Sequence, residues 1–168
     1  MFNNKKRYFS RKIEATLRTV WDLEFKLFKM REIREEIRQE RDEKASKVFN
    51  LEEDIKREGL KLGLTEDKVK ECLEATRKND DGTIVSITEE KFKEELKENK
   101  DELLSLIDKR TLLKRDIDRF DAQMKAIDLE MYGTKPTGEY PNGVQGIDFQ
   151  IDSFVELKGM LKAWKKTL

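Results

Sequence analysis

Residues 88–131 read TEEKFKEELKENKDELLSLIDKRTLLKRDIDRFDAQMKAIDLEM, and their apolar side chains recur alternately three and four positions apart. Phe92, Leu96, Leu103, Leu106, Leu113, Ile117, Phe120, Met124, Ile127 and Met131 fall on this register, which only Asn99 and Arg110 interrupt. A repeat of about 3.5 residues keeps all of them on one stripe of a helix, and a stripe that narrow is buried by one partner helix. The spacing therefore predicts a helix over 88–132, closed by Gly133.

The partner lies at the other end of the chain. From Lys12 to Glu58 there is neither glycine nor proline, so nothing local stops a helix over that span. Ile13, Val20, Leu27, Arg34, Arg41, Val48 and Ile55 form one seam position, and Leu23, Met30, Ile37, Lys44 and Leu51 the other. At 1.5 Å per residue the two helices measure about 70 Å and about 67 Å, a match that an antiparallel hairpin requires. Leu17, Trp21, Phe25 and Phe28 widen the apolar stripe of the first helix beyond two seam positions, which calls for a further covering helix.

The segment between them, residues 59–87, reads as a tip. Gly59 and Gly63 are able to end the first helix, and Thr65 is a helix N-cap with Glu66 and Asp67 in the first turn and Leu64 stapled onto Val69. A short helix is expected over 65–78, then a turn at Asn79-Asp80-Asp81-Gly82, with Thr83–Ser86 too brief to be more than an extended connector. The same start pattern recurs at Thr88, with Glu89 and Glu90 behind it and Ile87 placed against Phe92. Pro136, Gly138, Pro141 and Gly143 punctuate a loop over 133–150, in which Tyr140 and Val144 are candidate anchors. A last helix over 151–166, capped by Asp152, shows Phe154, Leu157, Leu161 and Trp164 at helical spacing.

The expected fold is all-α: one helical unit spanning 1–168, with a long antiparallel coiled-coil hairpin, a short helical tip, and the C-terminal helix packed at the open end. That helix is the expected cover for Trp21, Phe25 and Phe28, which read as core; left uncovered, they become an interaction surface. Because 43% of residues are charged and only 36% hydrophobic, the core must be narrow.

Composition excludes several chemistries. The chain has no histidine, which removes the commonest general base and transition-metal ligand. It has no Gly-rich phosphate or dinucleotide loop, so no cofactor or metal is expected and the reading is non-enzymatic. Residues 80–84, DDGTI, resemble part of an EF-hand loop, but that alignment puts Arg77 and Thr88 where the defining carboxylates belong, which leaves a plain turn. Cys72 is the sole cysteine, so no internal disulfide forms; among Val69 and Leu73 it reads as a small buried hydrophobe. Asp22, Glu24 and Lys26 interrupt the apolar residues behind the basic start, so neither a signal peptide nor a membrane span is expected and a cytoplasmic setting fits.

The acidic and basic residues balance at 36 each, yet they are unevenly spread. Lys5, Lys6, Arg7, Arg11, Lys12 and Arg18 face only Glu14 before residue 20, with Tyr8 and Phe9 interleaved. Two readings follow. The leading one is a protein-interaction module, an adaptor, assembly subunit or inhibitor, with Lys5, Lys6, Arg7, Arg11, Lys12, Arg34, Arg41, Lys44 and Tyr140 as candidate partner-binding residues. Arg34, Arg41 and Lys44 either snorkel from the seam, or pair with acids of the second helix such as Asp101, Glu102 or Asp108, or receive an acidic partner. The other reading is a nucleic-acid accessory protein that uses the basic start together with Lys158, Lys162, Lys165 and Lys166. The same heptads can also pair between chains, so self-association belongs to either reading.

Overall fold

The computed structural model describes residues 2–98, 100–134 and 145–167. They form helices α1 (Phe2–Lys61), α2 (Glu66–Leu73), α3 (Thr88–Leu96), α4 (Asp101–Tyr132) and α5 (Ile147–Lys166), with two short strands, β1 (Thr76–Lys78) and β2 (Ile84–Ser86). The chain divides into two compact units. One holds residues 1–38 and 121–168, the other residues 39–120, and α1 and α4 each contribute to both.

In the first unit the start of α1 and the end of α4 run antiparallel, since Lys26 reaches Glu130 (3.0 Å) and Arg34 reaches Asp128 (2.6 Å). Leu27, Met131 and Ile147 form its buried centre, with Leu23, Met30, Ile127 and Ile151 packed around them. Three helices therefore meet here, but around Leu27 and not around Trp21, Phe25 and Phe28, the residues that widen the stripe of α1. α5 begins at Ile147 rather than near Asp152, because Ile147 is itself a core residue and Gly133 bridges to Gln145 just before it. Its N-cap is Gly146, with no side-chain capping bond.

In the second unit Ile55, Leu64, Val69, Cys72, Leu73, Phe92, Leu103 and Ile107 make one core drawn from α1, α2, α3 and α4. α1 passes through Gly59, where a Cβ would sit 2.7 Å from a Val69 methyl, and ends before Gly63, whose φ of +93° suits glycine. Thr65 caps α2 as expected, accepting from the Lys68 N–H at 3.3 Å.

Three expectations for this unit are corrected. The short helix stops at Leu73, and Thr76–Lys78 pairs antiparallel with Ile84–Ser86 across the Asn79–Thr83 turn, so the connector is a β-hairpin strand. The Asp81 carboxylate accepts from the Thr83 hydroxyl (2.6 Å) and N–H (3.0 Å), and these bonds hold its pKa below the ordinary 3.8. Thr88 does not cap α3; it is buried, donates to the Leu73 carbonyl at 3.3 Å, and leaves Ile87 at the cap position.

The second long helix is also not continuous over 88–132. Lys97 takes a left-handed φ of +54° and closes α3, and α4 starts at Asp101 with Asp101 and Glu102 in its first turn. No apolar residue lies between Leu96 and Leu103, so nothing there is held by burial and the backbone is free to turn α3 onto α2. The heptad count passes over the break because Phe92 and Leu103 enter the same core from separate helices.

Arg110 ties these parts together. It is only 4% exposed, donates through Nε to Glu52 of α1 (2.8 Å) and through Nη2 to the Leu73 carbonyl that ends α2 (3.5 Å). A cation beside a helix C-terminus satisfies both the carbonyl and the dipole. Glu52→Ala leaves the buried guanidinium without its carboxylate and should cost about 2 kcal/mol, whereas Arg110→Met, which removes the charge and keeps the bulk, should cost about 1 kcal/mol or less. Urea unfolding followed by circular dichroism measures both; a larger loss for the methionine variant would contradict this account.

Candidate interaction surface

The seam assigned to α1 is the buried one: Ile13, Val20, Leu27, Val48 and Ile55 are buried, and Leu23, Met30, Arg34, Ile37, Arg41, Lys44 and Leu51 half-buried. Trp21, Phe25 and Phe28 lie on a different face. At 100° per residue they cluster about a third of a turn away from Val20 and Leu27. Their exposures are 60%, 62% and 54%, which corrects their reading as core. The expected cover is elsewhere: α5 spends its apolar face on Leu27 and Met131 through Ile147, and on Phe9, whose ring stands edge-to-face with Trp164 at 6.3 Å. Trp164 itself is half exposed and Phe154 half-buried.

The aromatic stripe has charged neighbours along the helix. The Lys29 ammonium sits 5.6 Å from the centre of the Phe25 ring and 3.4 Å from Glu32. Toward the N-terminus the same face carries Lys6, Arg7 and Arg18, with Arg11 beside it; toward the C-terminus it carries Glu24, Glu32, Glu35 and Glu36. All of these are exposed.

The candidate residues divide by what surrounds them. Lys5, Lys6, Arg7, Arg11 and Lys12 stand exposed in the first turns of α1, which starts at Phe2 and so includes them. Lys6, Arg7 and Arg11 line a cleft with Ser10, Glu14 and Lys165, whose ammonium donates to Ser10 Oγ at 2.7 Å. Two basic stretches from opposite ends of the chain thus converge, and none of their lysines and arginines forms an ion pair with another described residue.

Arg34, Arg41 and Lys44 behave differently. Arg34 grips Asp128 with two hydrogen bonds (2.6 and 3.2 Å), and the carboxylate raises its pKa against the penalty of burial. Lys44 lies 3.9 Å from Asp116 and Arg41 3.5 Å from Asp42. Arg34 and Lys44 therefore meet acids of α4, though Asp128 and Asp116 rather than Asp101, Glu102 or Asp108. Half-exposed pairs of this kind contribute under about 1 kcal/mol each and act chiefly on register. Tyr140 lies outside the described residues.

A shallow groove of about 1030 Å³ runs beside the Arg34–Asp128 pair, lined also by Arg31, Leu129 and Tyr132. Among the described residues no group of three or more Cys, Asp or Glu side chains is arranged to hold a metal ion, and no helix is long and apolar enough to cross a membrane. No protein-family model, curated protein or solved structure matches the chain.

Hydrophobicity alone would not have found the stripe, because aromatic residues weigh equally whichever face they occupy. Phase would have: Trp21, Phe25 and Phe28 fall off the Ile13–Val20–Leu27 line by an angle too large for one partner helix. Cys72 is 2% exposed, and burial, with Glu95 and Glu71 nearby, pushes its thiol pKa up. It should react with a disulfide reagent at pH 8 only as fast as the second unit opens, orders of magnitude slower than in denaturant; rapid stoichiometric labelling of the folded chain would overturn its burial.

Proposed function

We propose that this chain is a non-enzymatic protein-interaction module of the cytoplasm, in which α1 and α4 pair as a coiled coil and α1 offers its aromatic face to a protein partner. The observation that carries the reading is the stripe itself. Trp21, Phe25 and Phe28 stand one helical turn apart, each more than half exposed, on a helix whose Ile13–Val20–Leu27 face is already buried. Large aromatic side chains grouped in this way are enriched at interface centres and rare as isolated solvent-facing clusters. The lack of histidine and of phosphate-binding loops supports a binding role over a catalytic one. Cross-linking of the tagged chain in its source cells should join Lys26 or Lys29 to a protein, and Trp21→Ala/Phe25→Ala/Phe28→Ala should cut that yield at least tenfold while leaving helicity unchanged. Equal cross-linking by both forms would remove the stripe as the docking face.

A second reading is supported by the basic convergence: the cleft of Lys6, Arg7, Arg11 and Lys165, beside exposed Tyr8 and half-exposed Trp164, suits a single-stranded nucleic acid, with phosphates on the cations and bases on the rings. Neutralising about four phosphates gives a slope near −3 in log affinity against log salt. Fluorescence anisotropy with a labelled oligonucleotide at 50 mM salt tests it; no binding there, or binding unchanged by Lys6→Glu/Arg7→Glu/Lys165→Glu, removes this reading.

A further inference from the structure

The exposed face of α1 is complementary to itself when reversed, and we infer that its partner is a second copy of this chain, paired antiparallel about Trp21. This rests on the aromatic stripe being a protein-docking face, and it names the occupant.

Read along the face centred on Trp21, one half carries Lys6, Arg7 and Arg18, the middle Leu17, Trp21, Phe25 and Phe28, and the other half Glu24, Glu32, Glu35 and Glu36. A two-fold axis through Trp21 brings together residues equally distant from it. Leu17 then meets Phe25 of the second copy and Arg18 meets Glu24. Farther out, Lys6 meets Glu36, Arg7 meets Glu35, and Ser10 meets Glu32, while Arg11 and its counterpart Arg31 stand about a quarter of a turn off the centre of the face, on opposite flanks. Glu14, the one acid in the basic half, falls opposite Phe28 and the Lys29 ammonium beside it. Leu17 and Phe25 find apolar neighbours across the axis, Phe28 lies against Glu14, and the charged ends find opposite sign twice over, once on each side of the axis.

A parallel pairing would instead stack arginine on arginine and glutamate on glutamate, so charge selects the antiparallel one. An isologous contact of this kind closes after two copies, because the same patch is used by both. The charges are exposed: Lys6, Arg7, Arg11, Arg18, Glu24 and Glu36 form no ion pair with another described residue, and Glu32 and Glu35 lie beside exposed cations three positions away, Lys29 and Arg38. The face runs for about 45 Å along the helix, long enough for two α1 helices to bury an area in the range of about 1,200–2,000 Å² that stable dimers require.

The test is the mass of the full chain in solution by sedimentation velocity between about 1 and 100 µM. A dimer is expected, with Trp21→Glu monomeric and equally helical. Lys6→Glu/Arg7→Glu should weaken self-association at least tenfold, and adding Glu35→Lys/Glu36→Lys to the same chain should restore it, since the reversed charges meet again across the axis. Direction is read separately: an equimolar mixture of Leu17→Cys and Phe25→Cys chains should form the mixed disulfide in preference to either symmetric one. A chain that stays monomeric at 100 µM, a dimer insensitive to Trp21→Glu, or a charge reversal that fails to restore pairing overturns the inference. A monomer that still cross-links to another protein through the stripe would sink self-pairing alone; a monomer without stripe-dependent cross-links would sink the docking reading as well.

Discussion

Burial of one narrow stripe of α1 is the constraint from which the other features follow. Ile13, Val20, Leu27, Val48 and Ile55 occupy about a third of the helix circumference, and with 43% of residues charged there is little else to bury. A helix held along one line keeps its remaining faces in solvent. Those faces carry local ion pairs three or four residues apart, such as Lys56 with Glu53 and Lys47 with Glu43, which keep them wet and contribute only tenths of a kcal/mol each. The face of Trp21, Phe25 and Phe28 departs from that pattern, and the departure is what marks it.

The second unit solves a different problem. A helix pair has two ends, and at this one the chain must reverse without exposing backbone or apolar surface. Phe92 from α3 and Val69 and Cys72 from α2 close over Ile55, Leu103 and Ile107, each nearly inaccessible to solvent. The polar groups left inside are few and satisfied: Arg110 and Thr88 both donate to the Leu73 carbonyl, and Glu52 takes the remaining charge. Among the described residues no buried side-chain nitrogen or oxygen lacks a partner. Of the two buried clusters among the described residues this one has more members, and the charged seam residues Arg34, Arg41 and Lys44 are not among them; they stand at positions where register matters more than burial.

Charge has a similar division of labour. Acid and base balance over the chain, so long-range fields are weak and what remains is local arrangement. The cations at the start of α1 and the end of α5 gather at one place with Glu14 as the one carboxylate lining it, while the other acids of the exposed α1 face lie farther along the same helix. A neutral molecule with a polar distribution of this kind is suited to partners that repeat the distribution in reverse.

The sequence by itself determined the helices of the hairpin, their seam residues and the cap at Thr65, because hydrophobic period and capping chemistry are local and add along the chain. It also determined that the aromatic residues near Trp21 exceed what one partner helix can cover. Only the tertiary structure decided that α5 covers Phe9 and Leu27 instead of that stripe, that residues 76–86 pair as strands, and that the second long helix breaks at Lys97. It alone brought Lys165 to Ser10, Arg34 to Asp128 and Arg110 to Glu52. Each of these depends on which distant surfaces compete for the same apolar face or the same charge, and a period read along one segment carries no information about that competition.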